Sequence, residues 1–373
     1  MKKIILCFFL FQTISIFCQS QTYYLEGTLA KSKIFMQINV LDSSDEPNAT
    51  YFYQNSLKDI PLEGSFKNKE FVFIVKHNDT IREKFTLKKV ANTNFEGTWN
   101  NAQGKSFPVK LSPIDFTNYK STLTDVYYTD GKFDLIKLKF LEFKKEKTTF
   151  YKNKTIDWYS EKHCNVPFFR LGDNFSENSK NKVNAVLEKI HIKNVIWQLD
   201  CSTDNNYNTG GGISFETDFT FLNNDLLGFK VFSDYYCGGA YPDTSTRGYL
   251  IDLNTGQNYE LDHIIAFDKS VTTEKESSFN NWVKYRQTYF APKLYAIINA
   301  EQHFQKPKNN EEEPCDLTDL DKWWDAEEWI YTEKGIKFTP SFPHAMRACQ
   351  ATFLVSFEKL KKYKNLKFKY NLN

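Results

Sequence analysis

The sequence has no CxxC pair and no Cys/His cluster, which removes the common frameworks for a structural zinc site. GxSxG, HExxH, Walker A and GxGxxG motifs are all missing, so no standard hydrolase, metalloprotease or nucleotide site can be read from it. The one glycine run, "NTGGGISF" at residues 208–215, leads into strand-like sequence and reads as a turn rather than a phosphate cradle. Asp316, Asp319 and Asp321 lie close together but lack the spacing and glycine of an EF-hand. No metal and no cofactor are therefore expected. Neither charge sign dominates: 48 Lys and Arg face 46 Asp and Glu, a net charge of +2. That balance gives no overall electrostatic case for nucleic acid as a partner. Beyond the first twenty residues no run is long and apolar enough for a transmembrane helix.

The opening twenty residues, "MKKIILCFFLFQTISIFCQS", read as a secretory signal: two lysines, a short apolar stretch, then small residues at Cys18 and Ser20. Export to the periplasm or beyond is the expected destination. A lipoprotein site at Cys18 is the alternative, and the bulky Phe17 before it argues against that. Without this segment bases and acids are equal at 46 each. Five cysteines remain, and an oxidising compartment allows two bridges with one thiol left over.

Residues 21–115 read as an all-β, antiparallel domain, a small barrel or sandwich. Short alternating runs such as "TYYLEGTL", "KIFMQINVL" and "EFVFIVKH" are separated by polar turns. Residues 116–373 read as an α+β domain with an antiparallel sheet and packed helices. There "IKLKFLEF" and "NVIWQLD" look like strands. Val183, Val186, Leu187 and Ile190 share one helical face, with Asp173 or Ser176 as the candidate cap. A second helical region, residues 273–302, should be split or kinked at Pro292. "EWIYTEKGIKFTP" reads as a hairpin, and "ATFLVSFEKLKKY" as a strand running into a short helix.

The stretch "YYCGGAYPDTSTRGYLIDLNTGQNYELDHII", residues 235–265, concentrates a cysteine, turn residues and a histidine. A backbone account covers all of them. Gly238 and Gly239 end a strand, Pro242 sets the exit, Gly256 closes a turn and Asp262 caps a helical turn. His263 stands without a serine, a carboxylate pair or a second histidine in register, so a catalytic reading is not preferred.

This stretch resembles the signature of the DUF3298 family: a G-G-A-H-P corner, a strand, an L-x-T-G turn and a following apolar element. "WIYTEKGIKFTPSFPHAMRACQATFLVSFEKLKKY" is similar to that family's closing part, and "FFRLGDNFSENSKNKVNAVLEKI" to the helix of the partner DUF4163, or PdaC-like, domain. The corner histidine of the family is Tyr241 here, so any role resting on an imidazole at that place is in doubt, and Tyr241 itself counts among the candidate partner-binding residues. The resemblance implies an exported sensing or binding module rather than a catalyst. Its implied partner is a cell-wall hydrolase of the lysozyme kind or a cell-wall glycan such as peptidoglycan. A glycan hydrolase or deacetylase with an unrecognised site, and a structural envelope protein, are the alternatives.

The candidate partner surface is the acidic–aromatic segment at residues 311–328, nine acids against one lysine. Trp323 and Trp324 lie there among Asp319, Asp321 and Asp325; such a patch would attract a basic hydrolase. The competing reading puts one tryptophan face in the core. For the bridges, Cys164–Cys201 would bracket the first helix of the second domain. Cys237–Cys349 would tie the corner to the last strand of the family core. Cys315–Cys349 is the rival pairing.

Overall fold

The computed structural model describes residues 21–40, 46–77, 80–91, 93–119, 131–201, 212–237, 241–306, 315–326 and 328–372. The proposed signal segment, and the glycines of the corner, lie outside them. The chain divides into two units.

The first unit is a closed, eight-stranded antiparallel barrel. Its strands are β1 (Gln21–Leu29), β2 (Ser32–Val40), β3 (Asn48–Tyr53), β4 (Ile60–Lys67), β5 (Glu70–His77), β6 (Thr80–Val90), β7 (Asn94–Asn101) and β8 (Ser106–Pro113). β1 pairs with β8, from Leu25 opposite Pro113 to Leu29 opposite Val109, and so removes the open edges. The alternation legible in the sequence fills the interior: Leu25, Ile34, Met36, Tyr51, Phe73, Phe85, Leu87 and Phe95 are all fully buried. Gly97 allows β6 and β7 to close up, because a Cβ there would stand 1.9 Å from the Thr86 carbonyl oxygen.

Residues 131–140 also belong to the barrel unit. The expected strand "IKLKFLEF" does not form: residues 136–138 are the end of α1 (Lys132–Leu138), residues 139–142 are turn and loop, and only Phe143 enters a strand. The helix packs Phe133 against Phe52, ring centroids 4.9 Å apart. Period-two alternation over so few residues does not separate strand from helix. Tertiary burial decides it, with Lys137 fully buried and its Nζ 2.6 Å from Asp59 and 3.1 Å from Asp134.

The second unit has three three-stranded antiparallel sheets and a set of helices. The first sheet is β9 (Phe143–Tyr151), β10 (Lys154–Glu161) and β11 (Pro167–Leu171). Then α2 (Glu177–Cys201) runs for 25 residues, and Ser176 is its cap, its Oγ accepting the Ser179 N–H at 3.1 Å. The expected strand "NVIWQLD" is the last part of this helix. Val195, Ile196 and Leu199 continue the buried face of Val183, Leu187 and Ile190.

β12 (Gly212–Leu222), β13 (Leu226–Tyr236) and β14 (Asp243–Asp252) form the second sheet. Ile156, Phe168 and Phe169 from the first sheet, Phe229 and Ile251 from the second, and the apolar face of α2 make one core. Next come α3 (Leu261–Ile264), α4 (Phe279–Tyr285) and α5 (Ala291–Gln302), the last two joined by a wide π turn at Arg286–Phe290. Pro292 thus sits just after a wide turn, which absorbs the missing N–H without splitting the helix. β15 (Trp329–Thr332), β16 (Gly335–Phe338) and β17 (Phe353–Ser356) form the third sheet, and α6 (Phe357–Leu360) follows β17. These elements enclose a second core that includes Tyr285, Phe290, Trp323, Tyr331 and Phe338.

Two cysteine pairings expected above are corrected. Cys201 bridges Cys237, with Cα atoms 4.6 Å apart, and Cys315 bridges Cys349 at 5.0 Å. Neither Cys164–Cys201 nor Cys237–Cys349 forms. The extra turns of α2 explain the first error. His191 bonds the Val166 carbonyl beside Cys164, and Cys201 lies ten residues farther on, about 15 Å along the axis. There it meets the end of β13. The Cys164 thiol instead stands 3.4 Å from Glu161 Oε2 in the turn between β10 and β11.

Asp262 is also not a cap. Glu260 caps α3 in a box with His263, and Asp262 is buried against Arg286.

Candidate functional site

The acidic–aromatic segment divides on inspection of its contacts. Trp323 is 1% exposed and lies in the core against Phe353, its Nε1 donating to the Leu317 carbonyl at 3.0 Å. Trp324 is half-buried, with its ring 5.9 Å from that of Trp282. The carbonyls of Trp324 and Asp325 accept from Arg286 Nη1 at 3.3 and 3.1 Å. Asp319 is committed to a turn, its Oδ1 accepting the Asp321 N–H at 3.0 Å, and it lies 3.6 Å from Lys322. Asp321 is exposed. Trp323 therefore follows the core reading, and the Asp319 turn sets the chain path that buries it, while Trp324 keeps part of its surface open. A residue so deep in the core cannot meet a partner without local unfolding.

Tyr241 is placed differently. It is 71% exposed at the start of the path into β14, beyond Cys237. One face of its ring lies against His344, centroids 5.9 Å apart and planes inclined by 22°. His344 opens the 3-10 segment His344–Cys349 and its Nε2 donates to the Pro242 carbonyl at 2.5 Å. The corner and the "FPHAMRA" loop are about a hundred residues apart in sequence, and the fold stacks them.

Beneath these rings Asp243 is a junction. Its Oδ1 lies 2.7 Å from Arg347 Nε and also accepts the Thr244 N–H at 2.7 Å. Its Oδ2 accepts the Tyr235 hydroxyl at 3.2 Å. Arg347 reaches on toward Glu328, 3.9 Å away, and Glu328 accepts the Thr246 N–H at 3.1 Å. Burial, then the Asp243 charge, raises the Tyr235 hydroxyl's pKa, so it stays a proton donor at neutral pH. Behind it Trp197 of α2 meets the Tyr235 ring edge-on at 5.0 Å.

Both disulfides brace this junction. Cys237 directly follows the strand that carries Tyr235, and its bridge fixes it to the last residue of α2. Cys349 ends the segment carrying His344 and Arg347, and its bridge fixes it to Cys315. The site is thus an exposed aromatic pair on a base of ion pairs, held from both sides by covalent links. Sequence reasoning found Tyr241 but did not select His344, Asp243 or Arg347 as site residues. Only the "FPHAMRA" motif gave a signal, and nothing in the sequence joined it to the corner.

His263 is structural in its first contact: its Nδ1 accepts the Glu260 N–H at 3.1 Å.

A solved structure of a DUF3298 family member from Bacteroides fragilis is similar to this chain, at 16% identity and a TM-score of 0.34, over 61% of this chain and 94% of that one. No protein-family model matches the sequence, and no curated protein matches it.

Proposed function

We propose that the protein is an exported, non-catalytic binding protein that recognises a cell-wall glycan through the Tyr241–His344 corner. One observation carries this reading: a tyrosine ring, 71% exposed, stacked on a histidine and set beside an Asp243–Arg347 pair. A sugar ring offers an apolar C–H face to such a ring and hydroxyls to the polar groups beside it. Bracing by two bridges lowers the ordering cost of binding. The two disulfides also fit a chain that reaches an oxidising compartment.

The enzymatic alternative asks for a carboxyl poised near neutrality in an accessible cleft. Asp252 is held at about 2: burial raises it, and bonds from Lys369, Tyr370 and the Asn254 and Thr255 N–H groups outweigh that. Glu276 is lowered by Lys367. Asp262 is raised by burial, but it is sealed in the core against Arg286. These directions favour binding over acid–base chemistry.

The test is titration of the full chain with soluble muropeptides and chitin oligomers. Binding that falls about tenfold or more in Tyr241→Ala, with unchanged thermal stability, is the expected result. Equal affinity of the variant, or no binding of any oligomer, would overturn it. Salt-sensitive capture of a basic cell-wall hydrolase that survives Tyr241→Ala and fails in Asp321→Asn would move the partner to the acidic segment.

A further inference from the structure

At the far end of β14 from the corner lies a cleft of about 300 Å³, between the turn after Asp252 and the C-terminal segment bearing Lys367 and Lys369. Its donors and acceptors are unevenly committed. Asp252 is fully buried and its oxygens are occupied. Oδ1 accepts the N–H groups of Asn254 at 2.8 Å and Thr255 at 3.0 Å. Oδ2 accepts from Tyr259 at 3.3 Å and meets Lys369 Nζ at 2.7 Å. A carboxylate has about four acceptor positions, so Asp252 has little left to offer a ligand.

The cations differ. Each ammonium has three N–H groups. Lys367 directs one to Glu276 at 2.8 Å, and Lys369 directs one to Asp252 at 2.7 Å. His263 adds another donor. Its Nδ1 accepts the Glu260 N–H, so its proton resides on Nε2, which faces Glu276 across 3.8 Å. That distance is too long for a hydrogen bond. Asp252 therefore has no acceptor position left, Glu276 keeps positions beyond its bond to Lys367, and Lys367, Lys369 and His263 Nε2 keep N–H groups that can turn to a ligand.

We propose that this cleft binds a small molecule through an oxyanion, a carboxylate or a phosphate ester, received by Lys367, Lys369 and the His263 Nε2–H. The two lysines stand two residues apart, and their carboxylate partners fix them as a pair. With His263 neutral, the two lysines balance Asp252 and Glu276. A bare ion is then held weakly, and the ligand needs a body whose hydroxyls reach Thr255 and Gln257 on the cleft wall. The volume suits one sugar-sized unit. The site is separate from the Tyr241 corner and stands or falls independently of it.

The experiment titrates the full chain, by calorimetry or by chemical shifts, with glucuronate, glucose 6-phosphate and glucose. Binding of glucuronate alone identifies a carboxylate ligand, and binding of glucose 6-phosphate alone a phosphate ligand. Affinity for whichever binds should fall about tenfold or more in Lys367→Met, since a charge-assisted bond is removed. Lys367 is well exposed, so that variant keeps the fold. Gln257→Leu should weaken binding of the whole ligand less than Lys367→Met does. Glucose binding as tightly as the acids, no binding by any of the three, or an unchanged Lys367→Met would each overturn the proposal.

Discussion

Three buried polar residues of the second unit show how single side chains shape its stability. His191 is fully buried on α2, with its Nε2 donating to the Val166 carbonyl at 2.8 Å and its ring against Phe143 and Phe168. Burial pushes its pKa down to about 3, against the bond to Val166, and the charge of Arg170 adds to the lowering. A histidine in the unfolded chain titrates near 6.5. Between those values the unfolded state binds the extra proton, so stability is complete above pH 6.5 and falls as the pH drops toward 3. The full loss, reached below pH 3, is on the order of 5 kcal/mol. Urea unfolding of the wild type and His191→Gln from pH 7 to pH 4 checks this. The wild type should lose stability more steeply, and parallel curves would show that His191 is not the group responsible. Asp262 and Arg286 form the other buried polar centre. Arg286 reaches Asp262 through Nε and Nη2 at 2.9 Å, and Trp282 Nε1 donates to the same oxygen at 2.9 Å. Arg286 also holds the carbonyls of Trp324 and Asp325, so one guanidinium links the π turn, α3 and the segment that buries Trp323.

At the scale of elements, the barrel was the more legible half. Its strands mostly alternate, apart from β2 and β3, which also bury Phe35 and Phe52, the latter against Phe133 of α1, and their turns are marked by Asn, Gly and Lys, so local pattern and final burial largely agree. The second unit was legible where turns carried special residues, as at Gly256, whose φ is +76°. It was obscured where an apolar run fits two periods. Residues 194–200 supply β-branched and aromatic residues, yet they extend α2 because Val195, Ile196 and Leu199 fall on the face already buried. That one element misplaced Cys201 and with it the disulfide map. The candidate site was half-visible for a related reason. Tyr241 was found from its place in a motif, whereas its neighbours His344 and Arg347 come from a distant segment that only the fold brings near. The bridges give this scale its own prediction. Each closes a loop of about 35 residues, worth about 4 kcal/mol in the chain-entropy view. Non-reducing peptide mapping should recover Cys201–Cys237 and Cys315–Cys349. Replacing Cys315 and Cys349 together by serine should lower the melting temperature and also weaken binding at the corner, since His344 and Arg347 lose their anchor. A variant that loses stability but keeps full affinity would show that the bridge does not order the site.

For the whole molecule, each unit has its own core: the barrel interior with α1, and the two cores of the second unit. A unit that buries its own apolar surface can unfold on its own. Both the corner and the lysine cleft lie in the second unit, so a ligand at either is linked to only one of the two unfolding equilibria. Scanning calorimetry of the full chain should therefore resolve two transitions. Addition of a corner ligand at a hundred times its dissociation constant stabilises the unit that binds it by about 2.7 kcal/mol and should leave the other in place. A far-ultraviolet signal dominated by strands should accompany the transition that does not move, because the barrel is almost wholly β. A single transition shifted as a whole by the ligand would mean that the barrel and the binding unit unfold together. The two sites would then report on one cooperative molecule rather than on one of its halves.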